Sequence, residues 1–233
     1  MVNRLEEQMQ TGEAQVYMDV KKQRKICLLF ICLGLLVFFI DLNFVREAME
    51  DARLPYIDVT VRNFILGLRG SVLTVVIKTI NFLAETKTIV AFCLCLLMGY
   101  QRISLGFPAT LSVSAAALLN YGIKHLVLRP RPDAAEFLLQ IGGYSFPSGH
   151  SCSSVAFYGM LAYILMRKYF TKKEGRGTLV LGCVLACLPE VIAFGRVYLG
   201  VHYPTDVIAG LSLGLVMLML AIMVYETVIE KDK

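Results

Sequence analysis

An all-helical membrane protein with six transmembrane helices is the fold class that this sequence predicts. Of its 233 residues, 57% are hydrophobic and 18% are charged, and the mean hydropathy is +0.64. In a soluble domain about 25% of the residues are charged. The apolar residues also form long runs, and a helix that crosses a bilayer needs about 17–25 of them. At this length we expect one domain.

The apolar runs divide the chain in order. A polar segment at 1–25 precedes the first run, which we interpret as a retained membrane anchor because no small-residue cleavage site follows it. An outer loop of mixed charge, with interfacial helices at 58–83, is expected at 45–85. The second run is short, and its crossing should begin near Thr86. The six runs are 26–44, 88–100, 103–123, 151–166, 178–194 and 207–225.

The distribution of lysine and arginine between the loops indicates how the helices are oriented. Six crossings place both termini on one side, where 13 of these residues fall, against eight on the other side. Basic loops stay in the cytoplasm, so both termini should be cytoplasmic, including a tail at 227–233. The loops 124–150 and 195–206 should face outward from a single transmembrane domain at 26–226. The net charge of +5 is then a topology signal and gives no support for nucleic-acid binding.

Polar groups gather at the outer ends of four predicted helices. Each has an ordinary explanation: a cation at a helix end extends to the interface, Pro-Ser-Gly is a common turn, and an aspartate in a first turn compensates the helix dipole. The groups are Lys124 after the third run, FPSGHS at 146–151, Arg196 after the fifth run, and HYPTD at 202–206. Their convergence on one membrane face favours a shared site.

Together these groups match a tetrahedral oxyanion such as phosphate. The free amides of a helix N-terminus bind anions, and Ser148 and Gly149 stand where the fourth helix should begin. Lys124 and Arg196 can surround the same point with fixed positive charge, as can an arginine of the segment KHLVLRPRP at 124–132. Hydrogen bonds between such cations and phosphate oxygens are among the strong ones.

Two histidines adjoin the predicted anion site, and histidine can be a nucleophile or a proton donor near neutral pH. Pro204 suits the first position of a helix, so His202 should lie just before that helix and Asp206 in its first turn. Asp206 could then reach one imidazole nitrogen, fix the tautomer and stabilise the imidazolium. This partner favours His202 as a nucleophile, but the residues alone do not decide between His202 and His150.

The three motifs resemble those of the type 2 phosphatidic acid phosphatase superfamily, the lipid phosphate phosphatases. The patterns of that family are Lys-x6-Arg-Pro, Pro-Ser-Gly-His and Ser-Arg-x5-His-x3-Asp. The resemblance covers residues from about 84 to 215, and the compact chain is similar to bacterial members of the family. The matching residues are Lys124, Arg131 and Pro132; Pro147, Ser148, Gly149 and His150; and Arg196, His202 and Asp206.

The resemblance implies a specific mechanism without a metal or another cofactor. His202 would attack phosphorus, Asp206 would orient it, and a phosphohistidine would form. His150 would protonate the leaving oxygen, and a water molecule would then hydrolyse the intermediate. The phosphate oxygens would be held by Lys124, Arg131, Ser148, Gly149 and Arg196.

Gly195 stands where the family usually has serine, so a hydroxyl donor to phosphate is missing, and we expect weaker phosphate binding or altered selectivity, not inactivity.

Arg129 and Arg131 both precede proline in an extended segment and should point the same way. The chemistry of the two arginines barely distinguishes which one binds the phosphate, whereas the family spacing selects Arg131 for that role. Arg129 is then expected to be a screened neighbour whose replacement by alanine costs less than about tenfold.

The predicted substrates are lipids that carry a phosphate or diphosphate at the membrane face. Candidates are phosphatidic acid, lysophosphatidic acid, phosphatidylglycerol phosphate and polyprenyl diphosphates, hydrolysed at an outward-facing site in a bacterial cell membrane. Three alternatives stay open: a lipid phosphotransferase that uses the same phosphohistidine, a non-catalytic lipid-phosphate binder or transporter, and a vanadate haloperoxidase, which the apolar runs disfavour. The sequence does not specify the oligomeric state.

Overall fold

The computed structural model describes residues 2–172 and 175–231, with side chains placed for 21–101, 103–171 and 175–228. The described residues form helices and contain no β-strand, so the all-helical prediction is confirmed. A π-helical turn at Arg102–Gly106 precedes α5, and a short 3₁₀ turn covers Ala134–Glu136. The helices are α1 (Val2–Glu50), α2 (Tyr56–Gly67), α3 (Ser71–Phe82), α4 (Thr86–Met98), α5 (Phe107–Val127), α6 (Gly149–Lys172), α7 (Arg176–Tyr198) and α8 (Pro204–Lys231).

Among the described residues, four helices are long and apolar enough to cross a membrane, and the count rises to five if the bent pair of α2 and α3 forms one span. The four are Lys21–Glu50 of α1, Ile103–Val127 with all of α5, the whole of α7, and Pro204–Val228 of α8. Four of the six predicted crossings thus have a matching helix. The other two, which correspond to α4 and α6, do not meet the same criterion of length and composition.

The helices α4 and α6 miss the criterion for a membrane span for different physical reasons. With 13 residues, α4 is about 20 Å long at 1.5 Å per residue, which is shorter than the roughly 30 Å hydrocarbon core. By contrast, α6 has 24 residues but carries a polar sequence at its start. It packs against α5, α7 and α8 and is largely buried, so it is surrounded by protein and can carry serines that a lipid-facing helix could not.

The predicted outer loop is more helical than expected. The first helix continues through Glu50, beyond the predicted boundary at residue 44, and the chain leaves it at Ala52, which has a φ of 52°. The interfacial helices predicted at 58–83 correspond to α2 and α3, whose axes differ by 117°. Asp58 and Arg62 on α2 are buried, so this segment packs on the protein through polar side chains.

The helices α5 to α8 bring the predicted site together at one end of the bundle. The loop 128–148 joins the end of α5 to the start of α6, and residues 199–203 join α7 to α8. A Cβ atom on Gly210 would lie 2.5 Å from the Ser148 carbonyl oxygen, and one on Gly214 would lie 2.6 Å from that of Cys152. Only glycine at these two positions lets α8 approach the backbone of α6 so closely.

Candidate active site

The third motif is built around a tight turn between α7 and α8. Gly200 has a φ of 82°, and a Cβ atom there would lie 2.4 Å from the Glu136 carbonyl oxygen, so the turn requires glycine. His202 follows the turn, and Pro204 begins α8. Asp206 accepts a hydrogen bond from the Tyr203 amide at 2.9 Å through Oδ2, and the same oxygen lies 3.4 Å from His202 Nδ1. The predicted approach of Asp206 to the imidazole is therefore present.

His202 is set up as a neutral base. Its side chain is almost completely buried. Burial, followed by the positive charges of Arg196, Arg131 and Lys124, holds the pKa of His202 well below its usual value. With Nδ1 directed at Asp206, the lone pair of a neutral imidazole is on Nε2, the nitrogen that a nucleophile would use.

Arg131 lies beside that nitrogen. Its Nη1 is 3.2 Å from His202 Nε2 and donates to the Val201 carbonyl at 2.8 Å. Its Nε donates to the carbonyls of Gly142 and Gly143 at 3.2 and 3.0 Å. These backbone contacts hold the guanidinium at the point where a phosphoryl group attached to Nε2 would be.

Arg129 has a different position, and the expectation that it is a solvent-screened neighbour pointing the same way as Arg131 is wrong. Its side chain is only 3% exposed, and it bridges two buried carboxylates. One nitrogen is 2.6 Å from Asp206 Oδ1, and the other is 2.6 Å from Asp58 Oδ2. The guanidinium also lies 4.3 Å from the centre of the Tyr203 ring. Packing between distant segments turns Arg129 toward carboxylates and Arg131 toward the imidazole.

Lys124 ties the end of α5 to the loop before α6. Its Nζ donates to the carbonyl of Tyr144 at 2.9 Å and lies 3.4 Å from that of Ser145. The Ser145 hydroxyl in turn donates to the Pro130 carbonyl at 2.9 Å and lies 3.4 Å from Asp206 Oδ1. Lys124 is thus held close to the His202–Asp206 pair, and its charge is one of those that lower the pKa of His202.

The second motif meets the third through the backbone. The Ser148 amide donates to the Asp206 carbonyl at 2.8 Å, and the buried Ser148 hydroxyl accepts from Ser151 at 2.9 Å. Gly149 begins α6, and a Cβ atom there would lie 3.4 Å from Asn120 Oδ1. His150, the next residue, lines a cavity together with Gly149 and Lys124.

Arg196 is the clearest sign of an anion site. Its side chain is 1% exposed, yet Nε and Nη2 have no hydrogen-bond partner within the described part of the chain. A buried guanidinium with free donors is costly unless an anion satisfies them. Arg196 also contributes, with Arg131 and Lys124, to the positive potential at His202.

The glycine before Arg196 has a structural explanation. A Cβ atom on Gly195 would lie 1.9 Å from Nδ2 of Asn81, which is buried on α3 and donates to the Ile77 carbonyl at 3.1 Å. The Asn81 amide occupies the room that a serine side chain at position 195 would need. Asn81 Oδ1 has no hydrogen-bond partner among the described residues.

An apolar cavity of about 430 Å³ adjoins the polar residues of the site. Its walls come mainly from α4 and α5, with side chains such as Cys93, Leu97 and Val113. Its polar lining includes Lys124, Gly149 and His150. The cavity therefore combines a cationic end with a hydrocarbon-like wall, an arrangement suited to an amphiphile.

Comparison with known proteins agrees with this geometry. The family model described as the PAP2 superfamily matches residues 106–230. The chain belongs to the PAP2 superfamily. This membership confirms the resemblance carried by the three motifs, all of which lie in the matched residues.

Individual members of the PAP2 superfamily are similar over part or most of the chain. The chain is 37% identical over 122 residues to phosphatidylglycerophosphatase B of Bacillus subtilis, covering 52% of this chain and 58% of that protein. It is 30% identical over 110 residues to the putative undecaprenyl-diphosphatase YbjG of Escherichia coli, covering 46% and 50%. These matches span about half the length of each relative.

A solved member of the superfamily has the same fold. The crystal structure of the first transmembrane PAP2 type phosphatidylglycerolphosphate phosphatase from Bacillus subtilis matches with a TM-score of 0.69 and 29% identity. The match covers 87% of this chain and 97% of that one. The likeness therefore extends to helices outside residues 106–230.

Three further residues near the motifs have structural positions. His125 is exposed, with Nδ1 2.8 Å from the Tyr121 carbonyl oxygen. Asp133 accepts from the Ala135 amide at 3.0 Å at the start of the 3₁₀ turn. Cys152 is a free cysteine that is completely buried against the Ala116 carbonyl.

Motif analysis missed several residues that contact the PAP2 motifs. Asp58 and Thr205 bond to each other and to Arg129, and Asn120 lies beside Gly149. No spacing pattern could reveal Asp58, because it is 71 residues from Arg129 in sequence. A faint signal existed for Thr205, since it precedes the motif aspartate in a helix that begins at Pro204.

Proposed function

We propose that this protein hydrolyses the phosphate or diphosphate of membrane lipids through a phosphohistidine on His202. The observation that carries the proposal is the buried imidazole of His202, directed by Asp206 and with Nε2 beside Arg131. The unpaired donors of Arg196 supply a second group for the phosphoryl oxygens. Membership of the PAP2 superfamily supports the same chemistry.

The proposed reaction has two displacements at phosphorus. In the first, the lone pair of His202 Nε2 forms a P–N bond while the P–O bond to the lipid breaks, and His150 gives its proton to the leaving oxygen. In the second, His150 takes a proton from a water molecule, the water oxygen forms a P–O bond, and the P–N bond breaks to release phosphate. Lys124, Arg131 and Arg196, with Ser148 and the Gly149 amide, would stabilise charge on the phosphoryl oxygens.

The proposed substrates are phosphatidic acid, lysophosphatidic acid, phosphatidylglycerol phosphate and polyprenyl diphosphates. The apolar cavity next to Lys124 and His150 supports an amphiphilic substrate, with its phosphate at the cationic end and its chain along α4 and α5. The names of the relatives from B. subtilis and E. coli point to a glycerophospholipid and a polyprenyl diphosphate respectively. Transfer of the phosphoryl group to another acceptor would use the same intermediate.

Membrane orientation is part of the proposal. We place six crossings in the chain, with α4 and α6 as the second and fourth, both termini in the cytoplasm, and the site facing outward across a bacterial cell membrane. The loop charges support this arrangement, and the loops 128–148 and 199–203 meet at one end of the bundle.

The proposed mechanism needs no metal, because cationic side chains take the place of an ion at the phosphate. Within the described residues no group of three or more His, Cys, Asp and Glu side chains could hold a metal ion. Chelation with EDTA should therefore leave the rate unchanged, and vanadate, which mimics a transferring phosphoryl group, should inhibit. Loss of activity in EDTA with recovery in Mg²⁺ would contradict the metal-free mechanism.

The test of the function is phosphate release from a panel of lipid phosphates by the purified protein in detergent. Wild type should release phosphate from at least one of the four substrate classes, and His202→Ala should release none. Analysis of the organic product distinguishes hydrolysis from transfer. Binding of the lipids without release or transfer of phosphate would refute the proposal and favour a lipid-phosphate binder.

A further inference from the structure

A buried carboxylate on α2 contacts the beginning of α8. Asp58 is completely buried, although α2 lies outside the residues that match the PAP2 superfamily. Asp58 Oδ1 accepts from the Thr205 amide at 2.9 Å, and the Thr205 hydroxyl also bonds to this carboxylate. The amides in the first turn of a helix have no partner within the helix. Asp58, on a distant segment, supplies a hydrogen-bond acceptor for one of these amides and so holds the end of α8 that carries Asp206.

Arg129 extends this contact to the catalytic carboxylate. Its two terminal nitrogens lie 2.6 Å from Asp58 and 2.6 Å from Asp206, and Nη1 also donates to the Thr205 hydroxyl at 2.8 Å. Two carboxylates in a buried position repel each other unless a cation lies between them. Arg129 provides that cation, and its planar guanidinium presents separate donors to the two carboxylates, which the single ammonium of lysine could not do in the same geometry.

The two oxygens of Asp206 are thereby assigned to different partners. Oδ1 accepts from Arg129, with the Ser145 hydroxyl 3.4 Å away. Oδ2 accepts from the Tyr203 amide and lies near His202 Nδ1. With Oδ1 held, the plane of the carboxylate is fixed and Oδ2 stays directed at the imidazole. A carboxylate that rotated would lose this direction, and His202 would lose its preferred tautomer.

We propose that Asp58 and Arg129 are positioning residues for the His202–Asp206 pair, so that α2 is part of the catalytic apparatus. The inference rests on the proposed function. Neither side chain touches the phosphate: both act through Asp206. Replacement of either residue should therefore reduce kcat and leave the binding of substrate, measured by KM, largely unchanged.

Kinetics of three variants provide the first test. Asp58→Asn keeps an acceptor for Thr205 but removes the charge that faces Arg129, and it should lower kcat on the order of tenfold, the scale of losing an outer partner of a catalytic group. Arg129→Lys keeps the charge but loses the bridge, and its kcat should fall at least as far. Glu136→Gln is the matched control, because it breaks the ion pair between Glu136 and Arg62 of α2 without touching Asp206. Its kcat should equal that of wild type.

A double-mutant cycle separates positioning from a general effect on folding. In an Asp206→Asn background, Asp58→Asn should cost less than about twofold, because the group through which it acts is already altered. The same tenfold loss in both backgrounds, or an equal loss in Glu136→Gln, would overturn the inference. The rates are normalised to the concentration of folded protein, measured by size-exclusion chromatography in detergent, so misfolded molecules do not contribute.

A measurement without turnover separates this inference from the proposed function. The chain has three histidines, so ¹⁵N NMR of histidine-labelled protein can follow the tautomer and titration of His202 directly. Asp58→Asn and Arg129→Lys should move the His202 resonances in the direction seen in Asp206→Asn, and Glu136→Gln should not. Unmoved resonances would refute the positioning role, whereas an absence of phosphate release from wild type would refute only the function.

Discussion

Gly195→Ser restores the serine that the PAP2 pattern usually has at this position, and we predict that it destabilises the protein. The Cβ atom would lie 1.9 Å from Asn81 Nδ2, 2.9 Å from Asn81 Cγ and 3.1 Å from Ile77 Cγ2. Ordinary contacts between such atoms are about 3.5–4.0 Å. The Asn81 amide must therefore shift by roughly 1.5 Å and give up its hydrogen bond to the Ile77 carbonyl.

The cost of overpacking a buried site is typically 1–3 kcal/mol, so we expect about 2 kcal/mol for this change. At about 2–4 °C per kcal/mol for a chain of this size, the Tm should fall by about 4–8 °C. Thermal unfolding of the purified protein in detergent measures the shift.

The decisive comparison is the double variant. Asn81→Ala removes the amide that occupies the space, so Gly195→Ser in an Asn81→Ala background should cost less than about 0.5 kcal/mol. The added hydroxyl should then lower KM for a lipid phosphate, as expected if the missing donor weakens phosphate binding. A wild-type Tm for Gly195→Ser alone, or an equal loss in both backgrounds, would refute the explanation of why glycine is present.

Three further predictions concern the site and its orientation. Arg131→Ala should reduce kcat/KM on the order of 10²-fold or more, the scale of losing one preorganised donor, and Arg131→Lys should recover only part of it because lysine lacks the planar fork; equal activity of Arg131→Lys and wild type would contradict this. Because burial and the nearby cations hold the pKa of His202 well below 6.5, His202 should stay neutral down to pH 6.5, and both kcat/KM and the stability of the fold should fall only at lower pH; ¹⁵N NMR showing His202 protonated at pH 7 would contradict this. A membrane-impermeant thiol reagent applied to intact cells should label a single cysteine at exposed Ala135 and miss one at exposed Arg176, each in a cysteine-free background; the reverse pattern would place the site in the cytoplasm.

The sequence was sufficient to predict the elements that depend on local chemistry. The apolar runs correspond to helices because a bilayer selects for continuous apolar residues, and the start of α8 at Pro204 follows from the geometry of proline. The approach of Asp206 to His202 follows from their separation at that helix start. The choice of Arg131 needed the family spacing.

Other features depend on contacts between distant segments and could not be predicted. Arg129 and Arg131 are chemically alike, and the carboxylates of Asp206 and Asp58, each on a different helix, hold Arg129 away from His202 Nε2. The presence of Gly195 is explained by Asn81 of α3, which the sequence does not associate with the motifs. Similarly, the apolar run at 151–166 does not reveal that α6 is enclosed by α5, α7 and α8, which bury its serines.

The central claim, that His202 carries the phosphoryl group, is tested most directly by trapping the intermediate. Wild-type protein is mixed briefly with a ³²P-labelled lipid phosphate and quenched in alkali, and the labelled peptide is sequenced. We predict label that is stable to base, labile to acid and located on His202, with none in His202→Ala and retention in His150→Ala, which would form the intermediate slowly. Label on His150, or undiminished label in His202→Ala, would contradict the assignment of the nucleophile.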